Sequence, residues 1–149
     1  MAAGCPPGGS VVLLDTNVVS ALRRPDRHPQ VARWAAQHQP RELFLSAVTI
    51  GEIRRGITQQ ERHNAPFAHA LDVWLFRLLT LYGDRVLSLD VAVAQRWGQL
   101  SASLGYDNVD LMIAATALVH GLTVVTRNVR HFDRAGVPVL NPFEPDRGT

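Results

Sequence analysis

The sequence predicts an α/β fold: a three-layer sandwich with helices on both faces of a five-stranded, mostly parallel sheet. Two observations carry that reading. Short apolar runs, several of them β-branched, recur at 11–14, 43–45, 86–89, 123–126 and 137–140, and runs of this length without a polar alternation suit strands buried on both faces. Helical patterns separate the runs, and strands alternating with helices imply parallel pairing through crossover helices.

Taken in order, Val11-Val12-Leu13-Leu14 runs straight into Asp15. Asp15 stands where a strand ends and opens a short helix over 18–22, stopped by Arg23-Arg24-Pro25. Pro29 suits the first turn of a helix through His38. The second strand, 43–45, is followed by Ser46 as an N-cap and a helix from Ala47 to about Gln60. Asn64-Ala65-Pro66 precedes a long helix over 67–82, whose apolar side chains exceed what one face needs. Gly83-Asp84 is a turn before the third strand, 86–89. Asp90 caps a helix that Gly105 ends. Asp107, rather than Asn108, is read as the cap of the next helix, 109–120, which Gly121 closes. The fourth strand, 123–126, leads to a short helix with Asn128 at its start, and the fifth strand ends at Asn141-Pro142.

The chain has 149 residues, enough for one domain with a substantial core. That domain is placed at 11–143, with a disordered leader at 1–10 and a flexible tail at 144–149. No apolar run approaches the ~20 residues that cross a bilayer, and the first ten residues lack the basic start and apolar stretch of a signal peptide. Cys5 is the single cysteine, so a disulfide framework within the chain is excluded and a cytoplasmic location is expected. All 15 basic residues are arginine and the formal charge is only +2. Attraction to a polyanion must therefore come from local clusters: Arg23-Arg24-Asp26-Arg27, Arg54-Arg55, or Arg127-Arg130-Arg134. Arginine matches phosphate with a planar fork of donors.

Several acids are candidates to meet Asp15 at the carboxyl edge of the sheet, where open parallel α/β folds bind ligands. Glu52 lies off the Ile50–Ile53–Ile57 core stripe, so periodicity alone fits an exposed residue paired with Arg55. It also shares a face of small and polar residues with Ser46, Thr49 and Gly56, which can approach another backbone and aim a carboxylate into a cleft. Asp110 opens a helix that is apolar nearly all round and hence buried; an acid in its first turn faces a cleft or simply complements the helix dipole. After the fourth strand come Thr126, Arg127, Asn128, Arg130, His131 and Asp133.

Together these residues resemble a known family. Asp15-Thr16-Asn17, Ser46-x-x-Thr49-x-x-Glu52-x-x-x-Gly56, Asp110-Leu111-Met112-Ile113-Ala114-Ala115, Thr126-Arg127-Asn128 before Phe132, and Val139-Leu140-Asn141-Pro142-Phe143 fall in the order and spacing of PIN-domain ribonucleases. The similarity is greatest to the VapC toxins of bacterial type II toxin–antitoxin pairs, and it covers nearly the whole chain. It implies a five-stranded parallel sheet with an acidic metal site at its carboxyl edge. By that resemblance Asp15, Glu52 and Asp110 are the catalytic and metal-ligating acids, with Asn128 a further candidate ligand and Asn17 and Thr126 in support. The family often places one or two further acids after the fourth strand; here Asn128 and His131 stand there, which thins the negative charge.

The resemblance implies Mg²⁺, with Mn²⁺ as an alternative, because phosphodiester hydrolysis needs an activated water and relief of phosphoryl charge, and oxygen ligands suit such a hard ion. Clustered carboxylates without a cation raise one another's pKa. Arg23, Arg24, Arg127 and Arg130 are the expected RNA-backbone contacts. The expected partners are RNA, a cognate antitoxin and a second copy of the chain, with Trp34, Trp74 and the 67–82 helix supplying apolar surface. Rival readings are an RNA-maturation nuclease and a degenerate PIN-like domain that binds RNA or a protein without cutting it. A phosphate-accepting signalling domain is disfavoured by the absence of lysine.

Overall fold

The computed structural model describes residues 11–144; the expected leader at 1–10 and the tail beyond Glu144 lie outside them. The elements follow in the order β1 (Val12–Leu14), α1 (Thr16–Leu22), α2 (Pro29–Ala36), β2 (Leu43–Ser46), α3 (Ala47–Glu61), α4 (Ala65–Tyr82), β3 (Val86–Leu87), α5 (Val91–Leu104), α6 (Val109–His120), β4 (Thr123–Val125), α7 (Val129–Asp133) and β5 (Val139–Leu140). The five strands form one sheet in the order β3-β2-β1-β4-β5. Every pairing is parallel, where the sequence predicted a mostly parallel sheet.

Alternation along β1 divides the core in two. Val12 and Leu14 face a cluster built with Val18 and Val19 of α1, Val31 of α2, Ile53 and Ile57 of α3 and Leu75 of α4. Leu13 faces the other way, toward Leu111, Ile113, Ala114 and Ala117 of α6 and Phe132 of α7. This is the three-layer sandwich that the buried apolar runs imply. Among the described residues no helix is long and apolar enough to cross a membrane.

The order of the strands matters more than their number. From β1 the chain steps outward to β2 and β3, then returns to place β4 on the opposite side of β1. A reversal of this kind leaves a crevice at the carboxyl ends of β1 and β4, closed underneath by the Asp15 N–H donating to the Val125 carbonyl at 2.9 Å.

Several element ends differ from the sequence-based expectation. β3 stops at Leu87, because its partner residue Ser46 is the last of β2 and no ladder remains for Ser88 and Leu89. β5 begins at Val139, since Pro138 accepts a bond from the Val124 N–H but has no N–H to give. α2 ends at Ala36, two residues before His38. α4 begins at Ala65, capped by the Asn64 side chain accepting from the Phe67 N–H. Asn108, not Asp107, caps α6, with its Oδ1 accepting from the Leu111 N–H at 3.1 Å. Gly121 ends α6 in the left-handed region at φ 68°, where a side chain would be strained.

Candidate active site at the carboxyl edge of the sheet

Asp15 is the fixed point of the site. It is the N-cap of α1 and only 3% exposed. Its Oδ1 accepts from the Thr16 N–H at 2.8 Å and its Oδ2 from the Thr126 hydroxyl at 2.8 Å. The Asn17 amide stands 3.4 Å from the same Oδ2. Thr126 is itself held: its oxygen accepts from the Asn128 N–H at 2.9 Å. Asn17 spans the crevice, because its Oδ1 accepts from the Arg127 N–H at 3.2 Å. The residues after β1 and after β4 are thus woven into one network whose centre is a carboxylate. Capping and site-building are the same interaction here.

Burial pushes the Asp15 carboxyl up to about 6, against the hydrogen bonds from Thr126 and Thr16 that favour its charged form. The negative charges of Asp110 and Glu52 raise it further. Both expected acids therefore converge on Asp15 closely enough for their charge to be felt.

Glu52 reaches the site from α3. The Thr16 hydroxyl donates to Glu52 Oε1 and sits 3.1 Å from the hydroxyl of Thr49, which is fully buried one turn earlier on the helix. The exposed pairing of Glu52 with Arg55 does not occur, since the side chain is turned toward Thr16 instead. Asp110 reaches the site from α6, its side chain 22% exposed, and His131 of α7 sets Nδ1 2.7 Å from Asp110 Oδ2. A carboxylate oxygen accepts, so the Nδ1–H is the donor. Asn128 makes no side-chain cap for α7; it contributes its backbone N–H to Thr126. Among the described residues no three His, Cys, Asp or Glu groups close into a metal cage: Glu52 and Asp110 are each engaged by a neighbouring side chain.

The arginines expected to act together line different places. Arg23 lies over the Phe67 ring at 5.5 Å and lines a groove of 290 Å³ with Thr16, Glu52, Ile57, Leu71 and Trp74. Partial burial and its neighbours Arg24 and Arg27 depress its pKa. Arg24 pairs with Asp26 at 3.4 Å, and Arg54 with Asp72 across α3 and α4 at 2.8 Å. Arg127 and Arg130 line a separate cavity of 320 Å³ on the β4–β5 side, with Asn128 and His131. The two tryptophans expected to supply apolar surface are also divided: Trp74 borders the groove beside Glu52, whereas Trp34 lines a third cavity near the end of β5. Thr16 as the partner of Glu52 was not singled out by sequence reasoning; its position directly after Asp15, facing the Thr49–Glu52 face of α3, was the available signal.

Comparison with known proteins agrees with this architecture. The PIN domain family matches residues 12–138. A VapC ribonuclease of Sinorhizobium fredii, Y4jK, is 31% identical over 91% of this chain and 99% of its own length. Toxin FitB of Neisseria gonorrhoeae is 33% identical over 89% of this chain and 99% of its own. The crystal structure of FitAcB from Neisseria gonorrhoeae superposes with a TM-score of 0.81 at 34% identity, covering 91% of this chain and 100% of that one. The chain belongs to the PIN domain family, among the VapC- and FitB-type toxins.

Proposed function

We propose that the protein is the toxic component of a type II toxin–antitoxin system and acts as a divalent-cation-dependent endoribonuclease. The observation that carries this reading is Asp15: a buried carboxyl raised to about 6, with Asp110 and Glu52 adding to the shift. Burial first, and the neighbouring acids after it, disfavour the charged carboxylate, and a hard cation relieves both. The donors present are carboxylate oxygens with hydroxyl and amide groups around them, which fits Mg²⁺, or Mn²⁺, and not a soft metal. Asp15, Asp110 and Glu52 would hold it, with Asn128 a further candidate. When bound, it supplies an activated water and neutralises charge on the phosphoryl oxygens.

The remaining work belongs to the chain. Thr16 and Thr126 fix both oxygens of Asp15, so that carboxylate needs no reorganisation when it binds. Asn17 ties the β1 and β4 loops together and keeps Arg127 beside the acids. Arg127 and Arg130 hold the RNA backbone at the rim, which makes binding salt-dependent. The apolar groove past Glu52, with Arg23 at its edge, suits an antitoxin segment that carries apolar anchors and an acid. The outer face of α4, where Phe76 is 71% and Leu81 69% exposed, suits a second copy of the chain; Phe76→Arg is expected to leave a monomer by light scattering.

RNA-end sequencing after induction of the wild type against Asp15→Ala tests the activity. New 5′ ends in the wild type alone are expected, and identical ends in both would overturn it. Calorimetry with Mg²⁺ or Mn²⁺ separates the degenerate alternative, in which near-millimolar metal gives no binding.

A further inference from the structure

We infer that the sheet edge beyond β5 carries a track for single-stranded RNA leading away from the acids, with the Trp34 indole as a base-stacking station. This rests on the ribonuclease reading above. The track consists of two cavities, of 320 and 370 Å³, that flank the segment 141–144 and share Asn141 and Glu144 as walls. The first holds Arg127, Arg130 and His131, and His131 links it to the acid site through its bond to Asp110. The second is walled by Gln30, Arg33 and the half-buried Trp34 of α2 and by Gln37 just past its end.

The ridge between the cavities is preformed. Asn141 Oδ1 accepts from the Phe143 N–H at 2.9 Å, and Pro142 is buried. The Phe143 ring lies under the Arg127 guanidinium at 3.9 Å and meets His28 edge-on at 5.8 Å. A ligand laid across it therefore has little to order. Arginines near both ends of the path suit phosphates. An indole, three amides and the Glu144 carboxylate between them suit base faces and base amines. Cationic groups interleaved with an aromatic plane are the pattern by which proteins follow a single strand. A duplex hides its base faces, so it cannot use Trp34.

The test uses the Asp110→Asn protein in EDTA, so that binding is read without cleavage. The probe is a fluorescein-labelled single-stranded oligoribonucleotide of about ten nucleotides, within the usual range for such sites, and its duplex. Trp34→Ala is expected to weaken single-strand binding about tenfold, with most of the loss restored by Trp34→Phe and the duplex unaffected. Arg33 is exposed, so Arg33→Glu keeps the fold; it should weaken binding and flatten the salt dependence. Should Trp34→Ala melt early, Arg33→Glu decides alone. Parental affinity in both variants overturns the track, and it leaves the nuclease reading standing if the wild type cuts unstructured RNA. Variant-sensitive binding without wild-type cleavage keeps the track and removes the nuclease reading.

Discussion

On the α3 side of Asp15, Glu52 is held by Thr16 and backed by a groove of Ile53, Ile57, Leu71, Phe67 and Trp74 with one arginine at its edge. On the β4 side, Asp110 is held by His131 and opens onto Arg127, Asn128, Arg130 and Asn141. Both flanks present a carboxylate to the same central acid, but they are made of opposite materials. The first is an apolar trough of the kind that takes an amphipathic protein segment. The second is a polar, cationic path of the kind that takes a phosphate backbone. The difference teaches that one acidic centre can open onto two surfaces of opposite chemistry. Each flank can then be broken without touching the other.

The largest effect should come from the centre that both flanks share. Asp15→Asn and Asp110→Asn are expected to lower metal-dependent RNA cleavage by on the order of a thousandfold or more, with unchanged circular dichroism. Cleavage by either purified variant at wild-type rate would remove the acid from the mechanism.

Next comes the charge on Asp15 itself. Its folded pKa, about 6, exceeds the ordinary 3.8, so between those values the folded chain binds more protons than the unfolded one. The stabilisation this gives is complete below 3.8 and is lost as pH rises through about 6. For this group the metal-free protein should be less stable at neutral pH than at pH ~4 by at most about 3 kcal/mol. Mg²⁺ should flatten that slope by competing with the proton. Thermal melts in EDTA and in Mg²⁺ across this range read both effects, and a metal-free melting temperature that does not fall with rising pH would contradict the shift.

The strap between β1 and β4 is tested by Thr126→Val. It leaves Asp15 Oδ2 without its hydroxyl donor and the Asn128 N–H without an acceptor, at a cost of about 1–3 kcal/mol in chemical denaturation. It should also raise the Asp15 pKa further, because the Thr126 bond opposes the rise. Carbon-detected NMR titration of Asp15 checks the direction.

The comparison is sharpened by Gly56→Leu, which fills the apolar groove. A Cβ at Gly56 meets nothing within 4 Å, so the helix accepts it. Neutralisation by the cognate antitoxin should weaken by about tenfold, as expected for one occluded anchor, while RNA cleavage stays at the parental rate. Equal loss of both would mean that the two flanks are one surface.

Much of the frame was legible because it depends on local chemistry. Apolar runs marked the strands, Gly105 and Gly121 marked helix ends, and Asp15 showed both its strand-end position and its capping chemistry. The misplaced ends were those decided by a neighbour: β3 is short because β2 ends at Ser46, and Asp107 lost the cap to Asn108, which stands directly before the first helical residue. Glu52 is the instructive case. Helical periodicity placed it off the core stripe, which is true, yet the direction in which it points was set by Thr16, thirty-six positions earlier.

By itself, the sequence determined the layer architecture, since this follows from residue type, period and spacing, while the three acids were proposed from the resemblance of its motifs to a family. Only the tertiary structure decided which arginines belong to which flank, that Trp34 and Trp74 serve different surfaces, and that His131 holds Asp110. The physical reason is that the crevice forms where β4 crosses to the far side of β1. Residues more than a hundred positions apart, such as Asp15 and Thr126, meet there through strand order, which no local pattern records.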